Sequence, residues 1–303
     1  MTKPTRNVAA SVFQRLKNKA KETNRRLDEW LRYFAMERFL YRLTQSSYAD
    51  QFVLKGAMLF KVWQVATPRP TMDIDLLGEP EAIDRIDTIV QDVCALSVNP
   101  NDGLVFHTDS INSVPIAEKI AFDSVRVTFG ATLVNARIPM QLDIGYGTVY
   151  PSPVRASLPT ILDFPSPTLQ AYTRESSISE KLHAMVTLDI LNSRMKDFFD
   201  IWTLSRHFEF DGATLAKAIS DTFTHRTTPV PAEPLALTEQ FSKDSSKVTQ
   251  WAAFLKKQQL GEFAPAKLDE TISGIADFLC PVLKELSEDS SFIGKWSVGG
   301  PWD

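Results

Sequence analysis

The chain has 303 residues, of which 44% are hydrophobic, and its formal net charge at pH 7 is −4. This apolar content excludes wholesale disorder, and the length suffices for two domains. The negative net charge argues against unspecific nucleic-acid binding by the molecule as a whole. Because no apolar run could span a bilayer and the start lacks a secretory signal, we expect a cytoplasmic protein that does not contact membranes. Cys94 and Cys280 lie far apart and form no metal motif, which favours reduced thiols.

Basic residues crowd the start of the chain. They are Lys3, Arg6, Arg15, Lys17, Lys19, Lys21, Arg25 and Arg26, and Glu22 is the acidic residue among them. Such a run is suited to RNA phosphates or to an acidic partner, although a solvated helix face has the same composition.

Helices and short strands are predicted up to about residue 146. In chain order, the apolar pattern predicts helices over 7–23 and 25–45, a strand over 51–54, a helix over 57–65, a strand over 72–77 and a helix to about 96. Residues 99–118 are expected to form a surface loop or short strands. Residues 124–134 and 137–146 are expected to form a hairpin that turns at Asn135-Ala136.

The remainder of the chain is predicted to be mainly helical. Prolines punctuate a crossover over 151–167, and we place a domain boundary there, with domains over 1–158 and 159–303. Helices are expected to start at about 176–180 and at 192–202, and to cover 212–223, 237–257 and 267–287. A linker is expected over 226–236, and the tail after Gly294 is expected to be loose.

Asp73-Ile74-Asp75 is the most informative motif. Residues two apart on a strand point to the same side, so both carboxylates should project together. Carboxylates on rigid strands can hold one or two Mg²⁺ ions, and Asp143, in the second arm of the hairpin, is a candidate third ligand. The alternative is a strand-end pair of acids that is satisfied by backbone amides and water.

The turn Leu54-Lys55-Gly56-Ala57 precedes these acids. Glycine lets a phosphate approach the backbone closely, and a following helix start supplies free N–H groups, so the turn is suited to a nucleotide triphosphate. An ordinary strand-to-helix turn has the same sequence. Arg69 is positioned to reach a phosphate or to be a surface cation.

Further charged residues lie in the helical part. A lysine facing the metal site, such as Lys181, would bind triphosphate oxygens, whereas most helix lysines face solvent. Arg194 with Asp197, and Lys196 with Asp200, have the spacing of intrahelical pairs. The four histidines show no zinc spacing, and His183 is expected to be packed in an apolar environment.

These motifs, taken in order, resemble the AbiEii-type nucleotidyltransferase toxins, the toxin half of abortive-infection (type IV) toxin–antitoxin systems, which include the MenT toxins. The matching stretches are residues 38–43, 52–60, 69–76, 142–144, 179–182 and 192–202. The resemblance implies an α+β fold, with a DNA polymerase β-like nucleotidyltransferase domain built on a small mixed sheet, followed by a helical domain.

The resemblance also implies roles for individual residues. Asp73 and Asp75 would bind Mg²⁺, with Asp143 as the third metal ligand, and Lys55, Gly56, Ala57 and Arg69 would belong to the nucleotide site. Lys181 would contact the phosphates or assist the reaction, and Asp197 would be a further functional acid. The acceptor would be RNA, such as a tRNA 3′ end, and the partner a winged-helix antitoxin.

Ala57 departs from the wider superfamily, which usually has serine or glycine after this glycine. The missing hydroxyl predicts altered triphosphate handling. Two other functions remain open. One is a nucleotide- or RNA-binding regulator without turnover, and the other is a nucleotidyltransferase that modifies a small molecule such as an antibiotic.

Overall fold

The computed structural model describes residues 7–65, 71–116, 124–147 and 152–303. The chain divides into two compact units, and each is treated by itself below. The described part of the first unit lies within 7–64, 71–147 and 154–171, and most of the second unit is formed by 172–303. None of the helices among these residues combines the length and the apolar character that crossing a bilayer requires.

The described residues of the first unit form four α-helices. They are α1 (Val8–Glu22), α2 (Leu27–Thr44), α3 (Leu59–Val62) and α4 (Ile86–Ala95). The first begins at Asn7, whose side chain accepts the N–H of Ala10 at 3.0 Å and so satisfies a free donor of the first turn. The helix predicted over 57–65 is shorter than expected, because Gly56–Met58 form a 3₁₀ turn before α3.

A seven-stranded mixed sheet forms the body of the first unit. Its strands are β1 (Phe52–Lys55), β2 (Ile74–Gly78), β3 (Val105–Ile116), β4 (Ser124–Leu133), β5 (Ala136–Tyr146), β6 (Val154–Ser157) and β7 (Thr168–Ala171), in the order β3-β4-β5-β2-β1-β7-β6. The pairs β2/β5 and β1/β7 are parallel, and the others are antiparallel. The expected mixed fold with a mixed sheet is confirmed.

The hairpin of β4 and β5 is confirmed, and its turn lies at Val134-Asn135, one residue before the predicted position. Strand β4 alternates buried and half-buried residues along its whole length, which is the pattern that made it predictable. Strand β3 was predicted only as a loop or short strands. It is a continuous edge strand of 12 residues, and it escaped prediction because most of its side chains are not buried.

Two buried polar side chains of α2, Glu37 and Arg38, form hydrogen bonds with the proline-rich crossover. A carboxylate oxygen of Glu37 accepts the N–H of Ile161 at 2.8 Å, and Arg38 donates to the carbonyl of Pro165 at 2.6 Å. Both side chains are almost fully buried. Residues 154–167 of the crossover therefore belong to the first unit. The boundary predicted after residue 158 falls between the paired strands β6 and β7, whereas the division by compactness lies between Ala171 and Tyr172.

The second unit is mainly helical. Its elements are α5 (Arg174–Leu188), α6 (Met195–His207), α7 (Gly212–His225), α8 (Glu239–Ser242), α9 (Ser245–Gln258) and α10 (Leu268–Ser287), with the short strands β8 (Phe210–Asp211) and β9 (Lys295–Trp296). Helix α5 is capped by Thr173, which accepts the N–H of Ser176, so it starts earlier than predicted. The helix predicted over 237–257 is two helices, because Asp244 caps α9.

The prediction of a loose tail after Gly294 was wrong. Strand β9 pairs with β8, and Trp296 is only 2% exposed, with its indole N–H donating to the carbonyl of Ser205 at 2.8 Å. Trp302 stacks on Phe278 with the ring centroids 5.7 Å apart. Burial of Trp296 and stacking of the half-buried Trp302 outweigh the conformational entropy of ordering a short segment.

Candidate active site

Three carboxylates meet on one face of the sheet, where two neighbouring strands pair. Asp73 immediately precedes β2, Asp75 lies within it, and Asp143 lies in β5. Because β2 and β5 pair in parallel with Asp75 opposite Asp143, one oxygen from each of the three acids lies within 4.8 Å of the others. All three side chains are half-buried, which leaves them accessible to a ligand.

The apolar residues between the acids hold the strands in place. Ile74 is 0% exposed, and Leu142 and Ile144, on either side of Asp143, are each 1% exposed. A slip of one residue would send these side chains to the wrong face of the sheet, so their burial fixes the register. Core packing thus keeps the carboxylates together on the opposite face.

Two cations flank this pair of acids in the sheet. The registers of β1, β2, β5 and β4 place Lys55, Asp75, Asp143 and Arg126 side by side, one on each strand. Arg126 donates Nε and Nη2 to the two oxygens of Asp143 at 2.8 and 2.7 Å. Arg126 is not among the site residues predicted from the sequence. The predicted turn at Asn135-Ala136 would put Thr128 opposite Asp143, whereas the observed turn, one residue earlier, puts Arg126 there.

Gly56 lies directly against the acids. Its φ of +73° is in the region that favours glycine, and a Cβ placed on it would overlap the carboxylate of Asp75. The turn is therefore shaped by contact with the acidic cluster as well as by backbone conformation. The helix that follows has only four residues, so any phosphate contact would come from the turn and not from a long helix dipole. Arg69 lies outside the described residues.

In the second unit, Lys181 belongs to a buried ion network. Its Nζ lies 3.5 Å from a carboxylate oxygen of Asp197 and 3.3 Å from one of Asp200. Arg194 bonds the other oxygen of Asp197 at 2.7 Å, in agreement with the predicted intrahelical pair. Asp200 was expected to pair with Lys196, and the structure pairs it with Lys181 on α5 instead.

Burial of Asp197 is offset by these cations. The side chain is fully buried, which on its own would raise its pKa, but the charges of Lys181, Arg194 and Lys196 hold the pKa below its usual range. Asp197 is therefore ionised at pH 7, and its ion pair with Lys181 holds the lysine side chain in position. The network places the Lys181 ammonium between α5 and α6 and leaves its side chain 15% exposed.

His183 is packed as expected. It is 4% exposed, its Nε2 lies 3.0 Å from the hydroxyl of Thr228, and its ring meets Phe223 edge-on. Burial, together with the charge of Arg226, lowers its pKa to about 4. The imidazole is therefore neutral at pH 7 and serves as a packed polar group.

The basic run on α1 and at the start of α2 is partly neutralised. Salt bridges join Arg15 to Asp163, Arg25 to Glu29 and Arg26 to Asp28. Lys17 and Lys21 remain exposed to solvent. Lys3 and Arg6 lie outside the described residues. The cationic surface on these helices is thus smaller than the composition predicts.

A cleft of about 460 Å³ opens in the second unit between the start of α6 and α9. The residues that line it are Ser193, Arg194, Met195, Lys196, Gln250, Ala253, Phe254, Lys257 and Gln258. Three of them are cationic, one is aromatic and none is acidic. Such a lining is compatible with phosphate groups and with a stacked base.

A sequence profile described as "Nucleotidyl transferase AbiEii toxin, Type IV TA system" matches residues 38–273. The chain belongs to this family. The AbiEii resemblance seen in the sequence is thereby confirmed, and the protein is a nucleotidyltransferase of a toxin family from type IV toxin–antitoxin systems. No curated protein is similar enough in sequence to match.

Two solved structures share an outline with this chain. One is a candidate nucleotidyltransferase from Helicobacter pylori, with 16% identity, a TM-score of 0.46, and coverage of 84% of this chain and 93% of that one. The other is JHP933 from Helicobacter pylori, with 15% identity, a TM-score of 0.46, and coverage of 86% and 94%.

Proposed function

We propose that this AbiEii-family protein transfers a nucleoside monophosphate from a nucleoside triphosphate to an RNA, such as the 3′ end of a tRNA, and thereby inhibits growth. The observation that carries the proposal is the meeting of Asp73, Asp75 and Asp143 beside the Gly56 turn. In this proposal, the mixed sheet is the core of a DNA polymerase β-like domain, and an acceptor hydroxyl attacks the α-phosphorus as pyrophosphate leaves.

The donor set fits Mg²⁺. Carboxylate oxygens are the ligands that this hard cation prefers, and the strands hold them without a large rearrangement. Asp73 and Asp75 would hold the ion, or two ions, with Asp143 as a third ligand or as the acceptor of the hydroxyl proton. When bound, the metal would supply charge neutralisation for the triphosphate and the developing oxyanions.

The backbone of the turn would hold the triphosphate. Gly56 removes the side chain that would otherwise block approach, and Lys55 and Ala57 would contribute their main-chain groups. Ala57 has no hydroxyl, so this contact would come from the backbone alone. Arg69 and Lys181 are assigned to the phosphates by family resemblance, and Asp197 would orient Lys181 through their ion pair.

Cationic surfaces support an RNA acceptor. Lys17 and Lys21 are exposed on α1, and Lys196 and Lys257 line the cleft of the second unit. A small-molecule acceptor would need neither surface. We further propose a winged-helix antitoxin as the partner, in keeping with the type IV systems of the family, and a cytoplasmic site of action.

The test is transfer of each labelled nucleoside triphosphate to total cellular RNA, followed by sizing of the labelled product. Asp73→Asn and Asp75→Asn should each lower transfer by at least about a hundredfold, because loss of a metal ligand removes several kcal/mol of transition-state stabilisation. Both variants should also abolish toxicity on expression while their thermal unfolding stays cooperative.

Asp84→Asn is the matched control, since Asp84 is exposed in the same unit and the chemical change is the same. It should transfer as the wild type does. Undiminished transfer by either cluster variant would refute the assignment of the metal site.

A nucleotide-binding regulator without turnover is the second candidate. The pairing of Asp143 with Arg126 favours this second function, because Arg126 already donates to both oxygens of the third carboxylate. Calorimetry with Mg·NTP, combined with an assay for released pyrophosphate, separates the two functions. Binding without product on any RNA or small acceptor would favour the regulator.

A further inference from the structure

Arg126 and Asp143 form a two-pronged ion pair inside the acidic cluster. The pair bridges β4 and β5 at directly opposed positions, with both donor–acceptor distances below 3 Å. Gln141 also donates to Oδ1 of Asp143 at 3.1 Å. Oδ1 therefore accepts two hydrogen bonds and Oδ2 accepts one. Since each carboxylate oxygen has two lone pairs, Oδ2 keeps one acceptor position for another ligand.

Arg126 offsets part of the repulsion between two neighbouring acids of the cluster. Asp75 and Asp143 are direct neighbours on β2 and β5, and like charges in that relation destabilise a sheet. Arg126 adds a positive charge next to Asp143. Its side chain is 42% exposed, so the guanidinium lies at the open side of the cluster and not in the core.

We propose that Arg126 is a built-in counter-ion of the acidic cluster. It positions Asp143 and lowers the affinity of the cluster for a lone divalent cation, so that an ion arriving together with triphosphate is favoured over a free one. This inference rests on the proposed metal site at Asp73, Asp75 and Asp143. It assigns to Arg126 a role in ion binding that does not require contact with the reacting atoms.

The test measures Mn²⁺ binding to the full chain without nucleotide, by electron paramagnetic resonance of free Mn²⁺. Arg126→Gln should bind Mn²⁺ about tenfold more tightly, or more, because a unit charge close to a divalent ion is removed. Arg126→Lys, which keeps the charge but not the two-pronged bond, should stay closer to the wild type than to Arg126→Gln.

Arg137→Gln is the matched control. It makes the same change on the same hairpin, and Arg137 lies six positions from Asp143 along β5, about 20 Å away. Its Mn²⁺ affinity should equal that of the wild type. In an Asp143→Asn background, the gain from Arg126→Gln should shrink, since the carboxylate that Arg126 holds is then absent.

Thermal unfolding gives a second readout. Without metal, Arg126→Gln should melt below the wild type, because Asp75 and Asp143 then repel one another with less compensation. Mn²⁺ should raise its melting temperature by more than it raises that of the wild type. A merely structural arginine would lower the melting temperature without changing Mn²⁺ affinity.

The outcomes separate this proposal from the proposed function. If the wild type binds Mn²⁺ and Asp73→Asn abolishes binding, the metal site stands, and equal or weaker binding by Arg126→Gln overturns only the role of Arg126. If neither the wild type nor Arg126→Gln binds Mn²⁺, the metal site itself is wrong, and both proposals fall.

Discussion

At the scale of single residues, Gly56 carries two independent constraints. Its backbone has a positive φ, which costs other residues about 1–2 kcal/mol, and the space where a Cβ would lie is occupied by the carboxylate of Asp75. The sequence singled out Gly56 for the close approach of a phosphate and predicted neither constraint. The structure reveals both, and the second ties the turn to the proposed metal site.

Gly56→Ala should therefore lower both stability and transfer. We expect a loss of about 2 kcal/mol or more in the free energy of unfolding, because backbone strain adds to displacement of Asp75. Transfer should fall further than the loss of stability explains, since Asp75, a proposed metal ligand, is displaced. Denaturant unfolding and the labelled-NTP assay measure the two effects.

Gly261→Ala is the control for this change, because a Cβ at Gly261 meets no atom within 4 Å. It should be neutral in both assays. A Gly56→Ala protein with normal stability and transfer would show that the turn does not constrain Asp75.

At the scale of elements, the pair α5 and α6 is joined by charge in a buried setting. Asp197 and Asp200, which are 0% and 1% exposed, both face Lys181 across the two helices. Removing one partner of such a network leaves a buried charge without compensation. This costs more free energy of unfolding than the ion pair itself contributes. Lys181 is thus structural as well as a candidate for phosphate contact.

Lys181→Met should lower the free energy of unfolding by about 3 kcal/mol, from the uncompensated carboxylates. Lys217→Met makes the same change at an exposed pair with Asp221, and should cost less than about 1 kcal/mol. Both values are measurable by urea unfolding. Equal losses in the two variants would contradict the buried network.

The double variant Lys181→Met/Asp200→Asn separates the two roles of the lysine. It removes part of the stranded charge, so stability should recover partly. Transfer should not recover if Lys181 contacts the nucleotide. Recovery of transfer in step with stability would make Lys181 a structural residue only.

At the scale of the whole molecule, one buried titratable group in each unit makes stability depend on pH, and the two contributions have opposite signs. Burial raises the pKa of Glu37 to about 7, although the N–H of Ile161 and the charge of Arg38 lower it in part. Between about pH 4.5 and pH 7, the carboxyl group of Glu37 is protonated in the folded first unit and ionised in the unfolded chain. The contribution of Glu37 to stability is therefore fully present below about pH 4.5 and is lost as the pH rises through about 7.

His183 acts in the other direction in the second unit. The pKa of His183 is lowered to about 4 in the folded unit, against 6.5 in the unfolded chain. Between these pH values the imidazole is neutral in the folded unit and protonated in the unfolded chain. That contribution is present above about pH 6.5 and is lost as the pH falls to about 4. The two effects overlap and partly cancel in a measurement on the wild type.

We predict that Glu37→Gln reveals the first effect. The difference in stability between wild type and variant should change with pH between about 5 and 7, by at most about 1.4 kcal/mol per pH unit. Denaturant unfolding at several pH values measures it, with the exposed Glu22→Gln as control. A difference that is constant over this range would contradict the raised pKa of Glu37.

The sequence by itself determined the local features of this protein. Alternation put Asp73 and Asp75 on one face, turn chemistry singled out Gly56, and periodic apolar residues gave most helices and the hairpin of β4 and β5. The ordered motifs sufficed to identify the AbiEii family. These signals are short-range, since each is set by residues within one turn or one strand.

Only the tertiary structure decided which distant residues meet. The parallel pairing of β2 and β5 brings Asp143 to Asp75, and the neighbouring strand adds Arg126. Lys181 on α5 pairs with Asp200 on α6. Burial of Trp296 orders the C-terminal tail, for which the local sequence predicts no ordered structure. Strand register and helix contacts depend on burial summed over the whole core, and no local pattern encodes that sum.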